Sequence, residues 1–299
     1  MEVKKNSLKA WILASRPKTL SGAAVPVLIG LALAYADLQA YYDVPFNWTA
    51  AVLCLLFAFI MQVDANFIND FFDYAKGTDD REKRLGPERA CSQGWVSIEA
   101  MKNAIATTTV LACIVGLPLV WFGGLEMILI GLLCVVFCFL YTTHLSYVGM
   151  GDMLVLVFFG VVPVSITYYV QLHTFTAEVF VASLACGLVI DALLIVNNFR
   201  DRDTDREAGK NTLVVRIGAE AALACYLGVG LTACLLGLVF WANDHFLAFV
   251  LPFVYLAFHA FTWLSLRQIW KGRELNTCLG ETARNIFLYG ILVAIGLLI

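Results

Sequence analysis

Apolar residues in this chain gather in long unbroken runs, with the polar residues collected between them. Nine such runs occupy about 17–36, 47–71, 101–123, 125–143, 152–171, 178–198, 218–242, 246–266 and 280–299. Each is close to the ~20 residues an α-helix needs to cross a bilayer's hydrocarbon core. Helix is the element they predict, because backbone exposed to lipid must satisfy its own hydrogen bonds. The expectation is an all-α polytopic membrane protein with nine transmembrane helices in one bundle. No connection is rich enough in Pro, Gly or Ser to separate soluble domains, so residues 1–299 read as a single domain.

Composition adds little beyond agreement: 61% of residues are hydrophobic and 14% charged, against roughly 25% charged in soluble domains. Charge placement adds orientation. The 20 Lys and Arg residues fall before or at the opening of the first run, and between the second and third, the sixth and seventh, and the eighth and ninth. Of these, Lys102 and Arg284 stand in the opening turns of the third and ninth. With nine alternating crossings these segments share one side. The positive-inside rule makes that side cytoplasmic, with the N-terminus in and a multi-pass location in the cell's inner membrane. No nucleic-acid partner is expected. The basic, polar first 16 residues predict no cleavable signal peptide. Nine Cys without a Cys-x-x-Cys pair read as small buried side chains, and the four His show no metal-ligand spacing.

The chemistry sits where two runs meet the polar connections. The second run ends in Asn66-Phe-Ile-Asn69-Asp70-Phe-Phe-Asp73, followed by Gly77 and Asp79; the sixth ends in Asn197-Asn198-Phe-Arg200-Asp201-Arg-Asp203-Thr-Asp205, followed by Gly209 and Lys210. Aligning Asn69 with Asn197 puts Asp73 on Asp201, so the two stretches look like copies of one device. They lie four crossings apart, which predicts two four-helix halves plus a ninth helix, with both acidic ends on one face. A helix C-terminus is a poor place to gather carboxylates, and doing so twice points to a balancing cation. Magnesium takes oxygen ligands and commonly shares its shell with substrate phosphates. Asp70 and Asp73 are expected to hold one ion and Asp201 and Asp205 a second, with a diphosphate between them. Asn66, Asn69, Asn197 and Asn198 are expected to contribute carbonyl oxygens or to position water.

Cations at the same face suit the diphosphate: Lys18, Arg89, Arg200, Lys210 and Arg284 are the expected contacts, with Arg81, Arg84 and Arg216 also available. Asp191 lies two turns deeper on the sixth helix and is expected beside substrate. Tyr141, with Tyr147, Tyr168 and Tyr169, is a candidate cavity wall. Asp64 lies off the main stripe of its helix and is expected to pair with another helix.

These residues carry a resemblance. Arg16-Pro17-Lys18-Thr19-Leu20, Asn69-Asp70-x-x-Asp73, Leu85-Gly86-Pro87-x-Arg89, Thr167-Tyr168-Tyr169-x-Gln171, Asn197-Asn198-x-Arg200-Asp201-x-x-x-Asp205 and Glu281-Thr282-Ala283-Arg284 resemble the UbiA superfamily of intramembrane aromatic prenyltransferases. They are most similar to its dihydroxynaphthoate branch, and Gly77 stands where the wider superfamily often has a third Asp. The resemblance implies Mg²⁺-dependent transfer of a polyprenyl group from polyprenyl diphosphate to 1,4-dihydroxy-2-naphthoate. Carbon dioxide and diphosphate would leave, giving the demethylmenaquinol of menaquinone biosynthesis. Alternatives are the same chemistry on 4-hydroxybenzoate, homogentisate, or a phylloquinone or chlorophyll precursor and, more remotely, a secondary transporter. A CDP-alcohol phosphotransferase is disfavoured because its Asp-Gly-x-x-Ala-Arg motif does not occur.

Overall fold

The structure, a computed structural model, describes residues 3–42, 44–77 and 84–299. Asp79 and Arg81 therefore lie outside the described residues. Nine helices among those described are long and apolar enough to cross a membrane. They are α1 (Leu8–Tyr41), α2 (Trp48–Ala75), α3 (Ile98–Gly123), α4 (Glu126–Leu145), α5 (Gly151–Leu172), α6 (Ala177–Glu207), α7 (Ala219–Ala242), α8 (Phe246–Ile269) and α9 (Leu275–Leu298). No strand occurs among the described residues. Several helices begin on a side-chain cap: Ser7, Asn47, Ser97 and Thr176 each accept a hydrogen bond from the backbone N–H three residues on, filling an otherwise unmet donor.

The helices overrun the apolar runs that predict them. α2 continues to Ala75 and α6 to Glu207, so the acids at the polar ends of both runs ride on unbroken helix, in keeping with their helical spacing. Hydropathy marks where lipid contact ends, whereas the backbone ladder continues as long as its last turns find partners. α1 also begins earlier than its apolar run, with a helical piece Leu8–Ser15. It is interrupted at Arg16, whose φ of 49° is left-handed, before the 3₁₀ turn Pro17–Thr19. A residue preceding proline is crowded out of the right-handed helical region, which places the break there.

α6 is the central helix. It packs against α1, α5, α7 and α9, and 67% of its apolar window is buried compared with 6% for α4. α4 turns Ile128, Leu129, Leu132 and Leu133 outward, as a lipid-facing helix should. Lipid tails are as apolar as leucine, so such helices associate through close contact rather than hydrophobic drive. At the α5–α6 crossing a Cβ on Gly160 would lie 2.6 Å from the Ser183 carbonyl and 2.7 Å from Gly187 Cα. Asp64 has the expected helix partner: Thr108 and Thr109 of α3 donate to its two oxygens at 2.5 and 2.8 Å.

Candidate active site

One residue step turns a helix by roughly 100°, and this splits the polar stripe of α2 into two columns. Asn69 and Asp73 form one, facing a cleft that Asn197 and Asn198 of α6 close from the other side. Asn66 and Asp70 form the other and face away. The cleft holds about 100 Å³, room for several water-sized groups at ~10–15 Å³ each. Arg16, Arg89 and Lys210 supply its cationic wall, and Tyr141, Thr142 and Asp152 its remaining side.

Polar contacts hold the facing column in place. Thr142 Oγ1 donates to Asn69 Oδ1, and Arg89 Nη2 lies 2.9 Å from Asp73 Oδ2. Across the cleft, Arg200 Nη2 donates to Asn197 Oδ1 at 2.7 Å, and Lys210 Nζ lies 3.7 Å from Asp205 Oδ1. Asp205 Oδ2 is buried with no hydrogen-bond partner among the described residues.

Five of the expected contact residues do other work here. Asp70, fully buried, accepts the Ala90 and Cys91 N–H groups at 2.8 and 3.0 Å, so both oxygens hold the turn that carries Arg89. Asn66 donates to the Ser15 carbonyl and to Thr19 Oγ1, each at 2.9 Å, fixing the break in α1. Arg200 is 2% exposed and grips Asp201 with two bonds of 2.8 and 2.5 Å, while its Nη1 reaches Asn276 Oδ1 at 2.9 Å. Asn276 in turn donates to the Leu85 carbonyl at 2.8 Å. A Cβ on Gly86 would meet Arg200 Nη2 at 2.6 Å, so only glycine lets the loop lie on the guanidinium. Lys18 is exposed on its 3₁₀ turn, and Arg284 is exposed with its guanidinium 5.3 Å from the Phe258 ring. Neither lines the cleft. Arg84 and Arg216 donate to the backbone carbonyls of Pro87 and Val148.

A family profile and named relatives match this sequence. The profile of the UbiA prenyltransferase family covers residues 23–290. The chain belongs to that family. It is 34% identical to the 1,4-dihydroxy-2-naphthoate octaprenyltransferase of Haemophilus influenzae, over 98% of this chain and 96% of that one. It is 38% identical to the Escherichia coli protein of the same name, over 76% of this chain and 75% of that one. A solved UbiA homolog from Archaeoglobus fulgidus bound to GPP and Mg²⁺ shares the fold, with a TM-score of 0.64 at 14% identity over 95% of this chain and 99% of that one. This UbiA-family chain is thus a membrane-embedded prenyltransferase.

The structure adds residues to the site that the sequence reading had not placed there. Arg16 lines the cleft in place of Lys18, and its Nη2 is buried without a hydrogen-bond partner among the described residues. Its signal was the Arg-Pro pair at the membrane edge. Lys76 donates to the Thr143 carbonyl at 2.6 Å and sits 4.0 Å from the Tyr147 ring centroid. Desolvation there lowers its ammonium pKa, Asp73 pulls it back up, and Lys210 lowers it again. Asp152 opens α5 on the cleft wall, and Asp191, 6% exposed, lies within its electrostatic reach. Both carboxyls keep an Oδ1 with no hydrogen-bond partner among the described residues. Tyr168 and Tyr169 belong to the other end of the bundle, with Tyr168 on Asp37 and Tyr169 stacked on Phe175. The donor set suits Mg²⁺: hard oxygens from Asp73, Asn69 and Asn198, with the unpartnered Asp205 oxygen, and no sulfur or imidazole.

Proposed function

We propose that this prenyltransferase moves a polyprenyl group from polyprenyl diphosphate to 1,4-dihydroxy-2-naphthoate, releasing diphosphate and carbon dioxide and giving demethylmenaquinol. The observation that carries the reading is the convergence of Asn69 and Asp73 with Asn197 and Asn198, from two helices, on one cleft walled by Arg16, Arg89 and Lys210. The two naphthoate octaprenyltransferases at 34% and 38% identity support the acceptor. Asp73, Asp205 and the asparagine carbonyls are the groups that would hold Mg²⁺, and Asp201 is tied to them through Arg200. Bound Mg²⁺ supplies charge neutralisation for the leaving diphosphate.

The chain's own residues do the rest. Arg16 and Arg89 offer forked donors to phosphate oxygens and Lys210 a point charge, so negative charge developing on the leaving group meets fixed cations. Departure of diphosphate leaves an allylic cation, which the apolar helix walls protect from water. Asp152 and Asp191 lie beside Tyr141 and take the acceptor end, where a carboxylate oxygen accepts from a ring hydroxyl. The isoprenoid tail leaves sideways between helices into lipid. The cleft opens to the cytoplasm, and the whole chain forms one domain.

The deciding experiment incubates membranes with labelled prenyl diphosphate and carboxyl-labelled naphthoate, 4-hydroxybenzoate or homogentisate. A prenylated naphthoquinol with released labelled carbon dioxide is expected. Prenylation of hydroxybenzoate alone, without gas, would overturn the acceptor assignment.

A further inference from the structure

At the end of the bundle opposite the cleft, three side chains far apart in sequence meet. Asp37 comes from the last turns of α1, Glu178 from the first turn of α6, and His245 from the turn before α8. One ligating atom from each lies within 4.8 Å of the other two. Asp37 is 8% exposed and Glu178 7%, and Glu178 Oε1 is buried with no hydrogen-bond partner among the described residues. Tyr168 donates to Asp37 Oδ2, and one oxygen of that carboxylate lies in the cluster.

Two buried carboxyls need a counter-charge. By sequence, every one of the 20 Lys and Arg residues belongs to the other end of the bundle. No Lys or Arg lies at this end to neutralise them, so the charge must come from a proton, on a carboxyl or on His245, or from a bound cation. His245 favours the cation and names its class, because an imidazole nitrogen beside two carboxylate oxygens is a transition-metal donor set and one that Mg²⁺ does not favour. A tetrahedral zinc ion places its ligands roughly 3.4 Å apart, within a small closing movement of the present spacing. The hydroxyl of Tyr168 orients Asp37 as an outer partner should.

We propose that Asp37, Glu178 and His245 form a second metal site, for a divalent transition ion such as Zn²⁺, that clips α1, α6 and the α7–α8 turn together at the far end of the bundle. It is separate from the magnesium site of the cleft and takes no part in prenyl transfer.

The test dialyses full-length protein in detergent against Zn²⁺ with excess Mg²⁺ present to occupy oxygen-only sites, then counts zinc by mass spectrometry. About one zinc per chain is expected in wild type and in Asp73→Asn, with loss of that zinc in His245→Ala and Glu178→Gln. X-ray absorption on the wild type needs no variant, and one imidazole among oxygen ligands is expected. Absence of zinc from the wild type would overturn the site in favour of two carboxyls sharing a proton. So would zinc that survives His245→Ala, or an all-oxygen shell. Because Asp73→Asn should be inactive yet keep zinc, failure of this site and failure of the prenyl-transfer reading are distinguishable.

Discussion

Neighbouring acids in one motif carry unlike tasks. Asp73 faces the cleft, whereas Asp70, three positions earlier, spends both oxygens on the Ala90 and Cys91 amides. Asp73→Asn should therefore lower turnover by ~10²-fold or more, with a smaller drop in melting temperature than Asp70→Ala, since it weakens one ion pair to Arg89 and strands no backbone N–H. Asp70→Ala should do the reverse in kind. It strands two buried N–H groups at about 1–3 kcal/mol each, so thermal unfolding shifts down even where residual activity is measurable. A wild-type melting curve for Asp70→Ala would refute the structural role. Arg16→Gln tests the residue that the break in α1 delivers. Its KM for prenyl diphosphate should rise roughly ten- to a hundredfold, the effect of losing one charge-assisted hydrogen bond of ~1.5–3 kcal/mol. The motifs were legible as a set, but the sequence did not say which oxygen turns inward, because a one-residue step rotates the side chain by a quarter turn.

Helix overrun and close crossings decide what the elements present. α2 and α6 carry their acids on continuous helix past the apolar runs, so Asn69 with Asp73, and Asn197 with Asn198, are held by backbone hydrogen bonds rather than by loops. The meeting of Asp152 with Asp191 depends in turn on how α5 seats against α6. Gly160→Leu puts carbon within 2.7 Å of the α6 backbone. It should cost ~1–3 kcal/mol of stability through overpacking, read as a lower melting temperature with loss of activity. Unchanged stability would mean the crossing is looser than described. Arg200 belongs at this scale too. Its interleaving with acids suggested phosphate contact, yet its bonds to Asp201, Asn197 and Asn276 make it the bolt between α6 and α9. Nothing in a linear sequence reports that Asn276 arrives at that point.

Across the whole molecule, the asymmetry of Lys and Arg sets the expected orientation. A Lys5→Cys variant on an active background should react with an impermeant maleimide in inside-out vesicles and not in right-side-out ones. The opposite pattern would invert the topology. Magnesium dependence is read at the same scale: chelation should abolish prenyl transfer by purified protein, and added Mg²⁺ should restore it. Activity untouched by chelator would remove the ion from the site. The far-end cluster illustrates the limit of linear reading, since no spacing links Asp37, Glu178 and His245.

Nine crossings, helical class, the two acidic motifs and the family were all present in the amino-acid order, because lipid imposes length and hydrophobicity locally and a motif is a local pattern. Only the tertiary structure assigned Arg16 rather than Lys18 to the cleft, gave Asp70 and Arg200 to the frame, and brought Asp152 to Asp191. Those outcomes depend on helix rotation and on which distant segments meet, and neither is written in any one stretch of chain.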